Sequence, residues 1–205
     1  MINLSKGGRI SLSKDESGNS LDKIFFGTNW GMMRGAFGIG KTAVDLDSSV
    51  VMLDANGNHI NTVYFGNLRA QGVHHYGDDL VGDADGDDGM DNETIEITLS
   101  QMPSNVEHVF FVINSFRHQK FDKIPYIGIR IYTSANNQPK TKISDPVNVL
   151  AQYSLKDDPA AFKGKESIIL GEAYRKGGEW KFKAIGEFGN LTSVGQFPAS
   201  CKQLI

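Results

Sequence analysis

Short runs of strand-forming residues, each closed by turn residues, constrain this chain more than any other feature of its sequence. DKIFFGTNW, VDLDSSVVML, NTVYFGNL, ETIEITL, HVFFVIN, YIGIRIYT, VNVLAQYSL, SIILGEAYR and EWKFKAIGE are rich in β-branched and aromatic residues, the composition of pleated, half-buried surfaces. Between them fall Asn56-Gly57-Asn58, the acidic stretch 77–92, Met102-Pro103-Ser104-Asn105 and Asn136-Asn137-Gln138-Pro139, which carry turn chemistry. Gly177-Gly178 predicts a hairpin between the last two runs, and INLSKGGRISLS reads as strand, Gly-Gly turn, strand. One stretch, DDPAAFKGK at 157–165, predicts a helix, with Asp158 as N-cap and Pro159 at the first helical position. Many strands without interleaved helices predict an all-β, two-sheet β-sandwich with one short helix and a long acidic loop. With 205 residues and no linker, a single domain over 1–205 is expected.

The amino terminus lacks the basic, apolar, small-residue order of a secretory signal, and no apolar run approaches the ~20 residues of a membrane span. Cys201 is the only cysteine, so no intrachain disulfide can form. These features lead us to expect a cytoplasmic protein without direct membrane insertion. Net charge is −3, but it is unevenly spread. From Ala70 to Phe116 there are ten acidic residues and no Lys or Arg, which leaves +7 for the remainder. Such separation marks an interaction surface or a cation site. No basic stripe interleaved with aromatics is present, so nucleic acid is not expected as a partner.

GAFGIGKT at 35–42 matches a phosphate-binding loop letter for letter. That device also needs a helix starting at Lys41-Thr42, whose N-terminus would hold the phosphates. The sequence that follows, TAVDLDSSVVML, predicts a strand instead, and so we expect no nucleotide at Lys41.

GDDLVGDADGDDGMDNE at 77–93 carries eight carboxylates: Asp78, Asp79, Asp83, Asp85, Asp87, Asp88, Asp91 and Glu93. Crowded carboxylates raise one another's pKa and destabilise the fold unless something compensates. The local sequence holds no cation, and Ca²⁺, with its ~6–8 oxygens in flexible geometry, suits a glycine-punctuated aspartate loop better than Mg²⁺. A solvated loop without metal is the alternative. An EF-hand is excluded, because a register starting at Asp83 places Asp88 where Gly is required and Thr94 where Glu is required. Adjacent His74 and His75 point to opposite faces of a strand and do not suit one ion; one is read as packed or capping, the other as exposed.

The blocks INLSKGGRISLSK, VDLDSSVVMLD, VYFGNLRAQGVHHYGDDLVGDADGDD and SIILGEAYRKGGEWKFKAIGE occur in an order that resembles the TerD family of tellurium-resistance and stress-response proteins, over nearly the whole chain. The resemblance implies a β-sandwich that binds Ca²⁺ through acidic loops, acts in resistance to tellurite, other stresses and phage or colicin, and has no established enzymatic activity. It places Asp45 and Asp47 on the family's Asp-Leu-Asp strand and Asp78, Asp85, Asp87 and Asp88 on its loop, with Asp79 where Asn is usual. Alternation sets Asp45 and Asp47 on one strand face. The inserted Gly-Met-Asp91-Asn92 leaves either Asp88 or Asp91 for one ligand position and shifts Glu93. Asn29-Trp30-Gly31 replaces a Gly-Trp-Asp, and MMRGAFGIGKT is a longer loop than usual.

The metal ligands expected are therefore Asp45, Asp47, Asp78, Asp79, Asp85, Asp87, Asp88, Asp91 and Glu93. Ten carboxylates, counting Asp83, exceed what one Ca²⁺ uses, so two ions are expected, bridged by acids within Asp85–Asp88, with Asp83 in a lesser role. The function expected is a Ca²⁺-dependent binding or scaffold module, not an enzyme. Its partners would be other proteins, related stress-resistance proteins or a membrane-associated complex. A metal-dependent enzyme acting on a phosphoryl or carbonyl substrate, or a purely structural Ca²⁺ site, are the alternatives.

Overall fold

The computed structural model describes residues 2–3, 6–15, 17–35, 39–155 and 160–205. Its strands are β1 (Ile2–Asn3), β2 (Arg9–Ser11), β3 (Lys23–Trp30), β4 (Met33–Arg34), β5 (Lys41–Thr42), β6 (Leu46–Leu53), β7 (His59–Val63) and β8 (Arg69–Ala70). They continue as β9 (Val73–His75), β10 (Glu93–Thr98), β11 (His108–Ser115), β12 (Ile127–Ser134), β13 (Val147–Ser154), β14 (Ser167–Lys176) and β15 (Glu179–Gly189), before the helix α1 (Phe197–Lys202). A seven-stranded sheet runs β1-β13-β12-β3-β10-β9-β8, and a six-stranded sheet runs β2-β15-β14-β11-β6-β7. The all-β, two-sheet architecture is thus the one the turn-punctuated runs predict.

Inward residues of both sheets meet in one apolar core: Ile24, Phe26, Ile95 and Ile97 from one side, Leu46, Val50, Phe111 and Phe182 from the other. Phe26 and Phe111 stack with ring centroids 3.4 Å apart. Burying each such side chain contributes about 1.5–3 kcal/mol. On the outer side of the six-stranded sheet a second cluster joins Val51, Leu53, Phe110, Val112, Ile169 and Ile185 to Phe197 and Cys201 of α1.

The structure settles the pairing at the amino terminus and moves the helix. β1 pairs parallel with β13 and β2 antiparallel with β15. The amino-terminal run is strand, turn, strand as read, and its two strands join different sheets, with Gly7, at φ 85°, turning the chain between them. In the segment expected to be helical, residues 160–164 form turns, and the expected cap at Asp158 and Pro159 lies outside the described residues. The helix is instead α1, with Pro in its first turn and, just before it, a capping box between Ser193 and Gln196. That Ser-x-x-Gln-x-Pro spacing was the readable signal. No helix among the described residues is long and apolar enough to cross a membrane.

Candidate metal centre

Residues 77–92 cross one end of the sandwich and are stitched to it by backbone. Asp83 N–H donates to Trp30 O (2.9 Å), Met32 N–H to Asp83 O (2.9 Å) and Val44 N–H to Val81 O (2.9 Å). Gly82 sits against the Trp30 indole, where an added Cβ would come within 2.6 Å; a side chain there would push the loop off the sheet. Asn92, which sequence reasoning did not single out, ties the loop together. Its Oδ1 accepts from Trp30 N–H (2.8 Å), and its Nδ2 donates to Asp79 (3.0 Å) and Asp83 (3.1 Å).

The fold gathers two acidic groups. In the first, Asp45, Asp47 and Asp78 bring carboxylate oxygens within 4.8 Å of one another. Asp45 and Asp47 are buried, at 2% and 4% exposure, and Asp78 reaches them from the loop. Asp47 lies in register with Asn114 of β11, whose Nδ2 donates to it (3.1 Å), while Arg117 Nε donates to Asp45 Oδ2 (3.1 Å). One Arg does not balance these carboxylates. Burial first, then the neighbouring Glu93 and Asp45 carboxylates, push Asp47 up to about 7. Burial likewise raises Asp45, against the pull of Arg117. Asp45 Oδ1, Asn114 Oδ1 and Glu93 Oε1 are buried and have no hydrogen-bond partner among the described residues, a condition that is strongly unfavourable for an ionised carboxylate.

The second group, Asp83, Asp87 and Asp88, lies on the loop itself, half-buried to exposed. Tyr126 Oη donates to Asp83 (2.6 Å), and Asp87 and Asp88 accept from Gly89 and Met90 N–H (both 2.8 Å). These acids are wet and locally bonded.

The remaining expected residues are held elsewhere. Asp79 caps its own turn, accepting from Val81 and Gly82 N–H (2.8 and 3.0 Å). Asp85 is exposed and paired with Lys41, which holds its carboxyl below the usual range. Asp91 is buried on Arg130 Nε (2.7 Å), so the inserted acid meets an internal cation. Glu93 points into the core end, where Ser48 N–H donates to it (2.7 Å) and His75 Nε2 lies 3.5 Å away. Of the two histidines, His75 is buried and His74 half-buried against Tyr76. Asp83, given a lesser role by the sequence, sits at the centre of the second group; its hidden signal is Tyr126, 43 residues away in the chain. Lys41 lies in β5, paired with β4, and the next element is the strand β6, not a helix; Ala36, Phe37 and Gly38 of the loop lie outside the described residues.

This fold carries two groups of carboxylate oxygens at one end of a β-sandwich. The family described as "TerD domain" matches residues 1–193. The stress response protein SCP2 of Bacillus subtilis (strain 168) is 37% identical over 209 residues, covering 94% of this chain and 95% of its own length. The tellurium resistance protein TerZ of Serratia marcescens is 33% identical over 194 residues, covering 91% and 89%. The crystal structure of a homologue of telluride resistance protein TerD from Streptomyces coelicolor A3(2) aligns with a TM-score of 0.65 at 13% identity, over 89% of this chain and 98% of that one; it shares the fold. The chain belongs to the TerD family of tellurium-resistance and stress-response proteins.

Proposed function

We propose that this protein binds Ca²⁺ at the acidic end of its sandwich and works in stress resistance by ion-dependent binding of protein partners, not by catalysis. The observation that carries the reading is Asp45 Oδ1, buried, without a partner and part of a group with Asp47 and Asp78. A buried carboxylate oxygen in that state calls for a cation. The donors on offer are carboxylate and amide oxygens, the hard ligands Ca²⁺ prefers. Asp45, Asp47 and Asp78 would hold one ion, with Asn114 Oδ1 beside them; Asp83, Asp87 and Asp88 would hold a second. The bound ion supplies the positive charge that offsets repulsion among these acids, and the loop over Trp30 is thereby ordered as a surface for partners. The stress and tellurium-resistance names of the relatives support the biological setting. We further propose a cytoplasmic location, with related stress-resistance proteins or a membrane-associated complex as partners.

Linkage supplies the test. A ligand bound only by the folded state stabilises it by about 2.7 kcal/mol at a hundredfold excess over Kd. For a chain of this length that corresponds to roughly 5–10 °C in melting temperature. Millimolar Ca²⁺ should produce such a rise and a chelator should reverse it. Identical melting curves in both would leave a solvated acidic loop as the better description.

A further inference from the structure

The outer face of the six-stranded sheet is divided. α1 covers one half, over Val51, Leu53, Phe110, Val112, Ile169 and Ile185. The half toward the β14–β15 turn is an open groove of about 680 Å³, lined among others by Arg9, Tyr174, Lys176, Lys181, Lys183 and Ile205. Lys183 is held at the buried Glu172 (3.1 Å), which also bonds His108. Arg9, Lys176 and Lys181 make no salt bridge among the described residues. Register makes the crowding specific: Arg9 lies directly opposite Lys183 across β2 and β15. Like charges directly opposite destabilise a sheet; Glu172 offsets Lys183 and Glu179 lies opposite Lys176, which leaves Arg9 and Lys181 as the charges an anionic partner would meet.

The acidic groups lie at the other end of the same sheet. β11 runs from His108, opposite Tyr174 in this groove, to Asn114, opposite Asp47. Six residue steps at about 3.4 Å separate the two ends by ~20 Å. Each molecule thus carries a groove with four Lys and Arg side chains at one end of this sheet and a loop of eight carboxylates at the other.

We propose that the groove receives the 77–93 loop of a second copy of this chain, so that copies associate head to tail. Charge complementarity selects that occupant. The loop has no Lys or Arg, and it exposes Asp85 with Leu80 and Val81 (49% and 47% exposed). Those apolar side chains meet Tyr174 and the half-exposed Ile205 at the groove's rim. The two surfaces differ, so the contact is heterologous and leaves each assembly one free groove and one free loop. Opposed fields steer such encounters and weaken with salt. Calcium enters as a regulator: ions on the loop cancel part of its charge, so association is strongest in chelator. That last statement alone rests on the function proposed above.

Sedimentation velocity on the full chain in chelator tests the docking. At about 0.01 M salt, where the Debye length is ~30 Å, the protein should associate with concentration; at about 0.15 M, where it is ~8 Å, association should weaken sharply. Lys176→Glu/Lys181→Glu reverses two groove charges, and Asp85→Lys reverses one exposed loop charge at a residue outside both acidic groups. Each variant should weaken self-association roughly tenfold or more while keeping the parent's circular dichroism. Mixed together, the two should form one-to-one dimers and stop there, because each retains one working end. A wild type that stays monomeric at low salt, variants that still self-associate, or a mixture that fails to pair would each overturn the proposal. So would a groove that binds inorganic polyphosphate while the copies remain apart. Association that follows salt and variants as stated but ignores Ca²⁺ would count against the calcium reading and leave head-to-tail docking standing.

Discussion

The two acidic groups hold three carboxylates each, yet they stand in opposite physical situations. Asp45 and Asp47 are fixed by the strand that enters the core, so their charges are buried whether or not anything compensates them. Asp87 and Asp88 ride on the loop, exposed and bonded to their own backbone. Water tolerates the second arrangement; in the first it reaches Asp78 but not the buried Asp45 and Asp47. Carboxylate number therefore says little about cation demand, and placement on a rigid buried strand says much. The Asp45 group is the stronger site on this account and the Asp83 group the weaker.

The largest effect expected is at Asp47. Asp47→Asn removes a ligand charge from the buried group, and even outer partners of metal ligands are worth about 10–100-fold in affinity. Titration should show the tighter ion weakened on the order of a hundredfold or more. The same variant removes a buried charge, so in chelator its melting temperature should rise by roughly 2–5 °C. A variant that melts lower in chelator and still responds fully to Ca²⁺ would break the comparison.

Next comes pH. Asp47 titrates at about 7 in the ion-free fold, above its ordinary 3.8, because burial disfavours its charge. The folded state then holds this proton more tightly than the unfolded one, so the contribution of Asp47 to ion-free stability is greatest below about pH 4. It declines as pH rises toward 7. Calcium must displace the proton, so its affinity should fall by up to about tenfold per unit below pH 7. Melting curves with and without Ca²⁺ between pH 5.5 and 7.5 should diverge as pH rises, and Asp47→Asn should flatten that divergence. A constant gap across the range would mean that this carboxylate is not a ligand.

Asp83→Asn should act on the weaker ion alone, by about tenfold, because it removes one ligand charge from the Asp83, Asp87 and Asp88 group. If Asp83→Asn instead matched Asp47→Asn, the ranking of the two groups would be reversed. The smallest effect belongs to Lys41→Ala. Its partner Asp85 is exposed, and such pairs contribute little once salt screens them. Calcium affinity should change by less than about twofold, and neither parent nor variant should bind ATP or GTP with Mg²⁺. ATP binding in the parent that vanishes in Lys41→Ala would restore the phosphate-loop reading of GAFGIGKT.

The strands of this fold were legible because alternation and turn residues are local signals. Leu46–Leu53 and Glu179–Gly189 follow directly from their spelling. Asp45, Asp47 and Asp78 were legible as acids, and alternation put the first two on one face. What the sequence could not reveal was who answers each charge. Arg130 answers Asp91 from 39 residues away, and Asn92 binds Asp79 and Asp83 at once. Pairings of that kind depend on how the loop crosses the sheet, and neither composition nor spacing records it. The amino-terminal strands were legible as strands, but not the sheets they join, for the same reason: partner choice belongs to the tertiary fold.

Calorimetric titration of Ca²⁺ into the parent protein and Asp47→Asn, at pH 7.5 and moderate salt, tests the central claim most directly. Two ions per chain in the parent, with only the weaker one left in Asp47→Asn, is the result predicted. No calcium bound by the parent, or an unchanged isotherm in Asp47→Asn, would contradict it.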